Sequence, residues 1–211
     1  MAKHSTRAAD AAVRDLPAVD ELRNDQRERR QRIVDAATRL MIDVDYDKIQ
    51  VKDVAEEANV ALGTLYRYFS SKEHLFAEVL VRWAGTLRTH ISRNPLRGSS
   101  DAERLTQVIN RSVRAFQRQP SLAGLVTALE SSSDPYATEI LDRLGRTTGD
   151  IYVEAIHDVD RETAHRIVVV VDAVLAARLR SWVAGRISIA KVNDDLADTI
   201  ELLLEGQTAR S

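Results

Sequence analysis

Residues 51–75, VKDVAEEANVALGTLYRYFSSKEHL, constrain the fold more than any other stretch of this chain. Val54, Ala55 and Ala58 recur at helical spacing and give a short helix one apolar stripe. Ala55 is small enough for a crossing helix to approach closely. Asn59 follows the last periodic residue and tolerates the left-handed backbone that ends a helix. Val60 is placed to plug the corner. Leu65 and Phe69 lie four apart and face inward together. Thr64 and Tyr68 make a second such pair on another face, which Gly63 opens and Tyr66 and Arg67 flank. Ser70 and Glu73 have the S-x-x-E spacing of a capping box for a third helix, with Lys72 in its first turn. Helix, tight turn, helix is a helix-turn-helix, whose common use is to lay its second helix in the DNA major groove. A hydroxyl, two phenols, a guanidinium and bare backbone on that helix suit phosphates and base edges. A cation in a first turn is disfavoured by the helix dipole, so a phosphate would give Lys72 a reason to be there. Two short amphipathic helices also occur in all-helical proteins that never touch DNA, and periodicity does not separate the cases.

The residue pattern goes further. The run RRQRIVDAATRLM, followed by VKDVAEEANVALGTLYRYFSSKEHL, resembles the N-terminal domain of the TetR family of bacterial transcriptional regulators. The most specific part is G-T-L-Y-R-Y-F-x-x-K-E-x-L. Within the family, QRERRQRI and INRSVRAFQRQPSL look most like the actinobacterial KstR-type repressors of sterol catabolism. The resemblance implies an all-α fold with an N-terminal three-helix DNA-binding domain and a C-terminal ligand-binding and dimerisation domain. It implies a ligand-responsive repressor, not an enzyme, that acts on a palindromic duplex operator and needs no cofactor. Carried over residue by residue, the DNA face is Gln50, Lys52, Leu62, Gly63, Thr64, Tyr66, Arg67, Tyr68 and Lys72. Thr64, Tyr66 and Lys72 are expected on phosphates; Gln50, Lys52, Leu62, Gly63 and Tyr68 are expected nearer the bases. Gln50 departs from the Thr or Ser common at that position, and its amide is a weaker cap or a base reader.

Net charge adds nothing to this. The chain carries 30 Lys and Arg against 32 Asp and Glu, a balance of −2. Residues 24–72 hold nine of each sign. Position matters instead: Arg27, Arg29, Arg30 and Arg32 cluster near the start of the first helix, and Asp43, Asp45 and Asp47 lie at its far end. Affinity would then come from a few phosphate contacts with strong salt dependence. There is no cysteine, which removes disulfides, thiolate metal sites and thiol catalysis. No apolar run approaches a membrane span, and the N-terminus lacks a secretory apolar core, so a cytoplasmic protein is expected.

The remaining pattern predicts a helical chain of about nine helices in three parts: a flexible leader over 1–24, the DNA-binding domain over 25–72 and the larger domain over 73–211. A first helix is predicted over 25–42, with Ile33, Ala36, Ala37, Leu40 and Met41 on one face. A helix over 71–92 carries Leu75, Val79, Trp83, Leu87 and Ile91 every four residues and runs unbroken out of the motif. Asn94, Pro95 and Gly98 mark a loop, and Ser100 with Glu103 a second capping box. Pro120 breaks the next helix. Asp134-Pro135 opens another, predicted to reach about residue 157. Asp160 caps a helix to about 183, and the last helix is predicted over 193–205. The broad apolar faces from Asp160 onward fit a core or a two-helix surface that pairs with its twin; the resemblance implies a homodimer through the last two helices.

No phosphate-binding glycine loop, nucleophile elbow or H-E-x-x-H is present, and the histidines are scattered, so no catalytic or metal site is expected. Trp83, Leu87, Phe116, Leu125, Leu129, Tyr152, Ile156, Leu179 and Trp182 sit on the central helices. They are either plain core or the walls of an apolar cleft. The resemblance implies that some line an effector cavity, with an acyl or steroid thioester as the implied ligand. Arg114, Arg118, Arg178 and Arg180 lie on the same helices and are placed to meet an anion or to be surface charges. Two other readings stay open: a helical small-molecule carrier without DNA binding, and a drug-responsive repressor of an efflux pump.

Overall fold

A computed structural model describes Leu16, residues 21–92 and residues 95–208. These residues form nine α-helices and no strand. The first four are α1 (Asn24–Asp43), α2 (Val51–Glu57), α3 (Leu62–Leu65) and α4 (Lys72–Ser92). A 3-10 turn, Tyr46–Lys48, joins α1 to α2. The body adds α5 (Asp101–Arg118), α6 (Pro120–Glu130), α7 (Pro135–Val153), α8 (Arg161–Val183) and α9 (Ile189–Thr208).

The N-terminal unit closes around the apolar stripe read from the sequence. Ile33, Ala36 and Ala37 of α1, Val54 and Ala55 of α2, and Leu65 and Phe69 are all buried. Asn59 has φ 53°, the left-handed conformation that turns the chain between α2 and α3. Leu22 is also buried, so the end of the stretch expected to be a loose leader is anchored on this core.

Most helix ends follow local chemistry. Ser100 Oγ accepts from the Glu103 N–H, Asp134 Oδ1 from the Ala137 N–H and Asp160 Oδ1 from the Thr163 N–H. Three expectations need correction. The cap of α4 is Ser71, whose Oγ accepts from the His74 N–H at 2.9 Å; Ser70 lies one residue outside. Helix α7 stops at Val153 because the buried Asp101 carboxylate draws the next turn away, accepting the N–H groups of His157 and Asp158 at 2.8 and 2.9 Å. Helix α9 starts at Ile189, not near 193, with Ser188 Oγ accepting the Lys191 N–H. Asn94 falls outside the described residues.

Helix α4 belongs to both halves of the molecule. It packs on α1 at one end and along α7 in the body. Arg30 of α1 and Glu78 of α4 form a half-buried ion pair at 2.7 Å, and Asp35 pairs with Arg82 one turn further on. Helices α8 and α9 pack on one another, and α9 also covers α5. No helix among the described residues is long and apolar enough to cross a membrane.

Candidate functional site

Two regions stand out: the outer face of the helix-turn-helix and a cavity in the body.

Helix α3 has only four residues, yet its outer face is open. Leu62 and Tyr66 are 43% and 38% exposed, unusual for large apolar side chains. Gly63 and Arg67 are exposed beside them, and Thr64 is half-buried. A Cβ on Gly63 would meet nothing within 4 Å, so its role here is a bare surface and not tight packing. Gln50 and Lys52 are exposed at the start of α2, and Asp53 accepts the Gln50 N–H, which gives the helix its cap from the opposite side. These seven residues therefore share the unit's accessible surface.

The other two expected members are placed differently. Tyr68 is only 9% exposed and packs into the domain. The Lys72 ammonium donates to the Tyr46 carbonyl at 2.6 Å and stands 4.2 Å from the centre of the Tyr46 ring. It thus has an occupation inside the fold that needs no phosphate, and two of its three donors remain. Burial lowers the Lys72 pKa from its ordinary value, against the opposing pull of Glu73, Asp47 and Asp53. The Tyr46 phenol is raised by burial and by Glu73, whose carboxylate it meets at 3.4 Å. Arg30, one of the clustered arginines, is likewise committed, to Glu78 and to the face of Phe69.

The body holds a cavity of about 190 Å³ between α4, α5, α6, α7 and α8. Trp83, Leu87, Phe116, Tyr152 and Leu179 line it, five of the nine residues put forward from the sequence. Leu125, Leu129 and Ile156 are buried in plain core instead. Trp182 faces a separate groove beside Tyr46 and Pro120. Sequence reading missed the polar part of the wall: Arg88, Glu130, Thr148 and Asp172. One signal was available, since Asp172 is the single charge in the run IVVVVDAVL. The Tyr152 hydroxyl donates to Ser112 Oγ at 2.8 Å, wholly inside the protein. Burial, with a smaller push from Asp172, raises the Tyr152 pKa against the effect of Ser112, so the phenol stays protonated.

A second, more open groove of about 590 Å³ shares Trp83 and Leu87 with the cavity and is lined by Arg111, Arg114 and Arg118. Arg111 is held by the carbonyls of Ile91 and Pro95, whereas Arg114 and Arg118 are in no ion pair among the described residues. Arg178 and Arg180, by contrast, pair with Asp195 and Glu130 at 3.0 and 2.7 Å. No group of three metal-ligating side chains is placed to hold an ion among the described residues.

These features match known proteins along nearly the whole chain. Residues 33–79 match the family model described as bacterial regulatory proteins, tetR family, and residues 98–203 match a tetracyclin repressor-like C-terminal domain. The chain is 34% identical to the HTH-type transcriptional repressor KstR of Rhodococcus jostii RHA1, over 94% of this chain and 93% of that protein. It is 33% identical to KstR of Mycolicibacterium smegmatis, over 85% and 88% of the two chains. Among solved structures, a TetR transcriptional regulator from Rhodococcus sp. RHA1 is similar with a TM-score of 0.74 and 26% identity, over 85% of this chain and 97% of that one.

Proposed function

Because the chain belongs to the TetR family of bacterial regulatory proteins, we propose that it is a homodimeric, DNA-binding transcriptional repressor that a small apolar effector releases from its operator. The observation that carries this reading is the exposed face of α3 beside an unbroken α4 that also walls the cavity. Leu62, Gly63, Tyr66 and Arg67, with Gln50 and Lys52, form the DNA surface. Tyr66, Thr64 and Arg67 fall on phosphates, and Gln50, Lys52, Leu62 and Gly63 lie nearer base edges. Lys72 contributes from its remaining donors while tying α4 to the 3-10 turn. Tyr68 supports the surface from beneath.

Dimerisation through α8 and α9 is supported by their outer faces, where Val169 and Leu202 are 67% and 72% exposed. Two copies present two α3 helices to successive major grooves, about 34 Å apart. Effector in the cavity presses on α4 and α7 and changes that separation. The effector must bind the two dimer shapes with different affinity, or nothing shifts.

The cavity and the arginine groove together favour an amphipathic effector with an apolar body and an anionic head, the chemistry of an acyl or steroid thioester. At about 190 Å³ the cavity is smaller than ligand pockets usually are, so a full-sized effector must part α4 from α7 on entry.

The test is binding to the DNA upstream of its own gene, by fluorescence anisotropy across a salt series. Tight, salt-sensitive binding that is lost in Tyr66→Ala/Arg67→Ala is the expected result. Affinity for apolar ligands with no preference over random duplex, there or in genome-wide fragment selection, would favour a carrier.

A further inference from the structure

The charged members of the cavity wall lie where it reaches solvent. Arg88, Glu130 and Asp172 are exposed and Thr148 is half-buried, so water reaches all four. Two polar residues of the wall lie deeper. Ser112 of α5 and Tyr152 of α7 line the same cavity at 1% and 2% exposure, among Leu80, Leu175 and Leu179. Their hydroxyls are joined, Tyr152 donating to Ser112 Oγ at 2.8 Å. The Ser112 proton is left with the Val108 carbonyl at 3.4 Å, long for a bond between two oxygens. That carbonyl already accepts the Ser112 N–H inside α5, so it does not depend on the hydroxyl. The pair thus holds one weakly used proton on the wall of an apolar space. A Phe and an Ala would fill nearly the same volume, and exchanging both partners of a buried hydrogen bond for apolar groups of the same shape is close to neutral. Packing alone does not call for two hydroxyls here.

Resting on the reading of this cavity as the effector site, we infer that the effector carries on its apolar body an oxygen that accepts a hydrogen bond from the Tyr152–Ser112 pair, as a ketone or an alcohol does. The Ser112 hydroxyl swings from the Val108 carbonyl to the ligand, and Tyr152 goes on donating to it from behind. Neither residue borders the groove of Arg111, Arg114 and Arg118, so this oxygen is distinct from the anionic head placed there. The proton returns to Val108 when no oxygen is offered. Discrimination against an apolar molecule of the same shape is therefore that of one ordinary buried hydrogen bond, about tenfold.

The experiment uses two small probes of the same shape, heptan-2-one and 2-methyl-1-heptene, which differ only in C=O against C=CH2. Their affinities are measured by NMR titration on the full-length protein, on Tyr152→Phe, on Ser112→Ala and on the double variant, with circular dichroism to confirm that each is folded. The quantity read is the ketone-to-alkene affinity ratio, in which the difference in hydrophobicity between the probes is common to all four proteins. It is expected to be about tenfold higher in the wild type than in Tyr152→Phe/Ser112→Ala. The single variants should fall between, because the hydroxyl that remains can turn to the ligand. The infrared carbonyl stretch of the bound ketone reports the same bond without any substitution, and decides the matter if the double variant does not fold. In the wild type it is expected at lower frequency than for the ketone in hexane. A ratio unchanged in the double variant, or a bound stretch at the hexane position, overturns the inference: the pair then only ties α5 to α7, and the apolar cavity stands. No binding of either probe overturns the effector site itself, and this inference with it.

Discussion

The imidazole of His74 lies flat on the ring of Tyr136, with centroids 4.8 Å apart and planes 7° from parallel. His74 is in the first turn of α4 and Tyr136 in the first turn of α7, so the stack joins the helix-turn-helix unit to the body. Phe69 meets the same imidazole edge-on at 5.3 Å, and the Ser70 N–H points at its Nδ1. The junction therefore depends on a neutral histidine.

Acid should weaken that junction. Burial holds the His74 pKa below its ordinary 6.5; Glu78 and Asp134 oppose this and Arg30 reinforces it. The folded value is the lower one, so the unfolded chain takes up the proton first as pH falls. The stabilisation is complete above the unfolded value and is lost progressively as pH drops from there toward the folded one. Urea midpoints measured at intervals between about pH 7.5 and 5.5 should fall more for the wild type than for His74→Gln. Parallel profiles would show that the imidazole does not titrate against folding.

The proposed DNA face makes a different kind of claim. Arg67→Ala, which removes a phosphate contact, should lower the slope of log K against log salt by about 1. Tyr68→Phe should leave the slope unchanged, since that ring is buried. Lys72→Met should lower stability by about 1 kcal/mol through loss of the Tyr46 contacts. A salt slope altered by Tyr68→Phe would place the phenol on the DNA after all.

Asn59 tests the turn. Its φ of 53° is strained for a residue with an ordinary Cβ. Asn59→Ala should cost about 1 kcal/mol and Asn59→Gly much less, by chemical denaturation. Equal losses would mean that the Asn side chain, not the backbone, is what matters.

Asp101 anchors the α7–α8 connection. Its buried carboxylate pairs with Arg104 and accepts two backbone N–H groups from a loop far along the chain. Asp101→Ala leaves both backbone donors unpaired and takes from Arg104 its buried carboxylate, with only the carbonyls of Ala155 and Gly98 left to it, and should cost about 3 kcal/mol in a urea titration. A loss under about 1 kcal/mol would mean that solvent reaches the pair.

Assembly is the most direct check. Val169→Glu combined with Leu202→Glu puts charge on two side chains that touch little in one chain. Light scattering should then give the monomer mass, with near-native helix content. A persistent dimer would put the interface elsewhere.

Much of this architecture was legible because it is local. The ends of α1 and α4, the Asp134 and Asp160 caps and the inward faces of α5 and α6 all follow from spacing and capping chemistry. Ser70 and Ser71 are adjacent candidates for one cap, and S-x-x-E spacing favoured the wrong one. The end of α7 was hidden because its cause, Asp101, lies more than fifty residues away. The cavity was half legible for a similar reason. Period locates an apolar face, but it does not tell Leu125 in solid core from Leu179 beside empty space. Nor does it single out Asp172, an exposed carboxylate that also borders the cavity.

Helix α4 has one further consequence. Its 21 residues run without a break from the turn below α3 to the level of Ile91 in the body. At 1.5 Å per residue that is a rod of about 31 Å, and a tilt of about 5° at the body end swings the far tip by about 2.7 Å. A stiff lever of this kind magnifies a side chain's worth of swelling into a mismatch of groove dimensions. Substitutions that soften it, such as Pro at Gly85, should uncouple effector from operator while each is still bound normally by its own end.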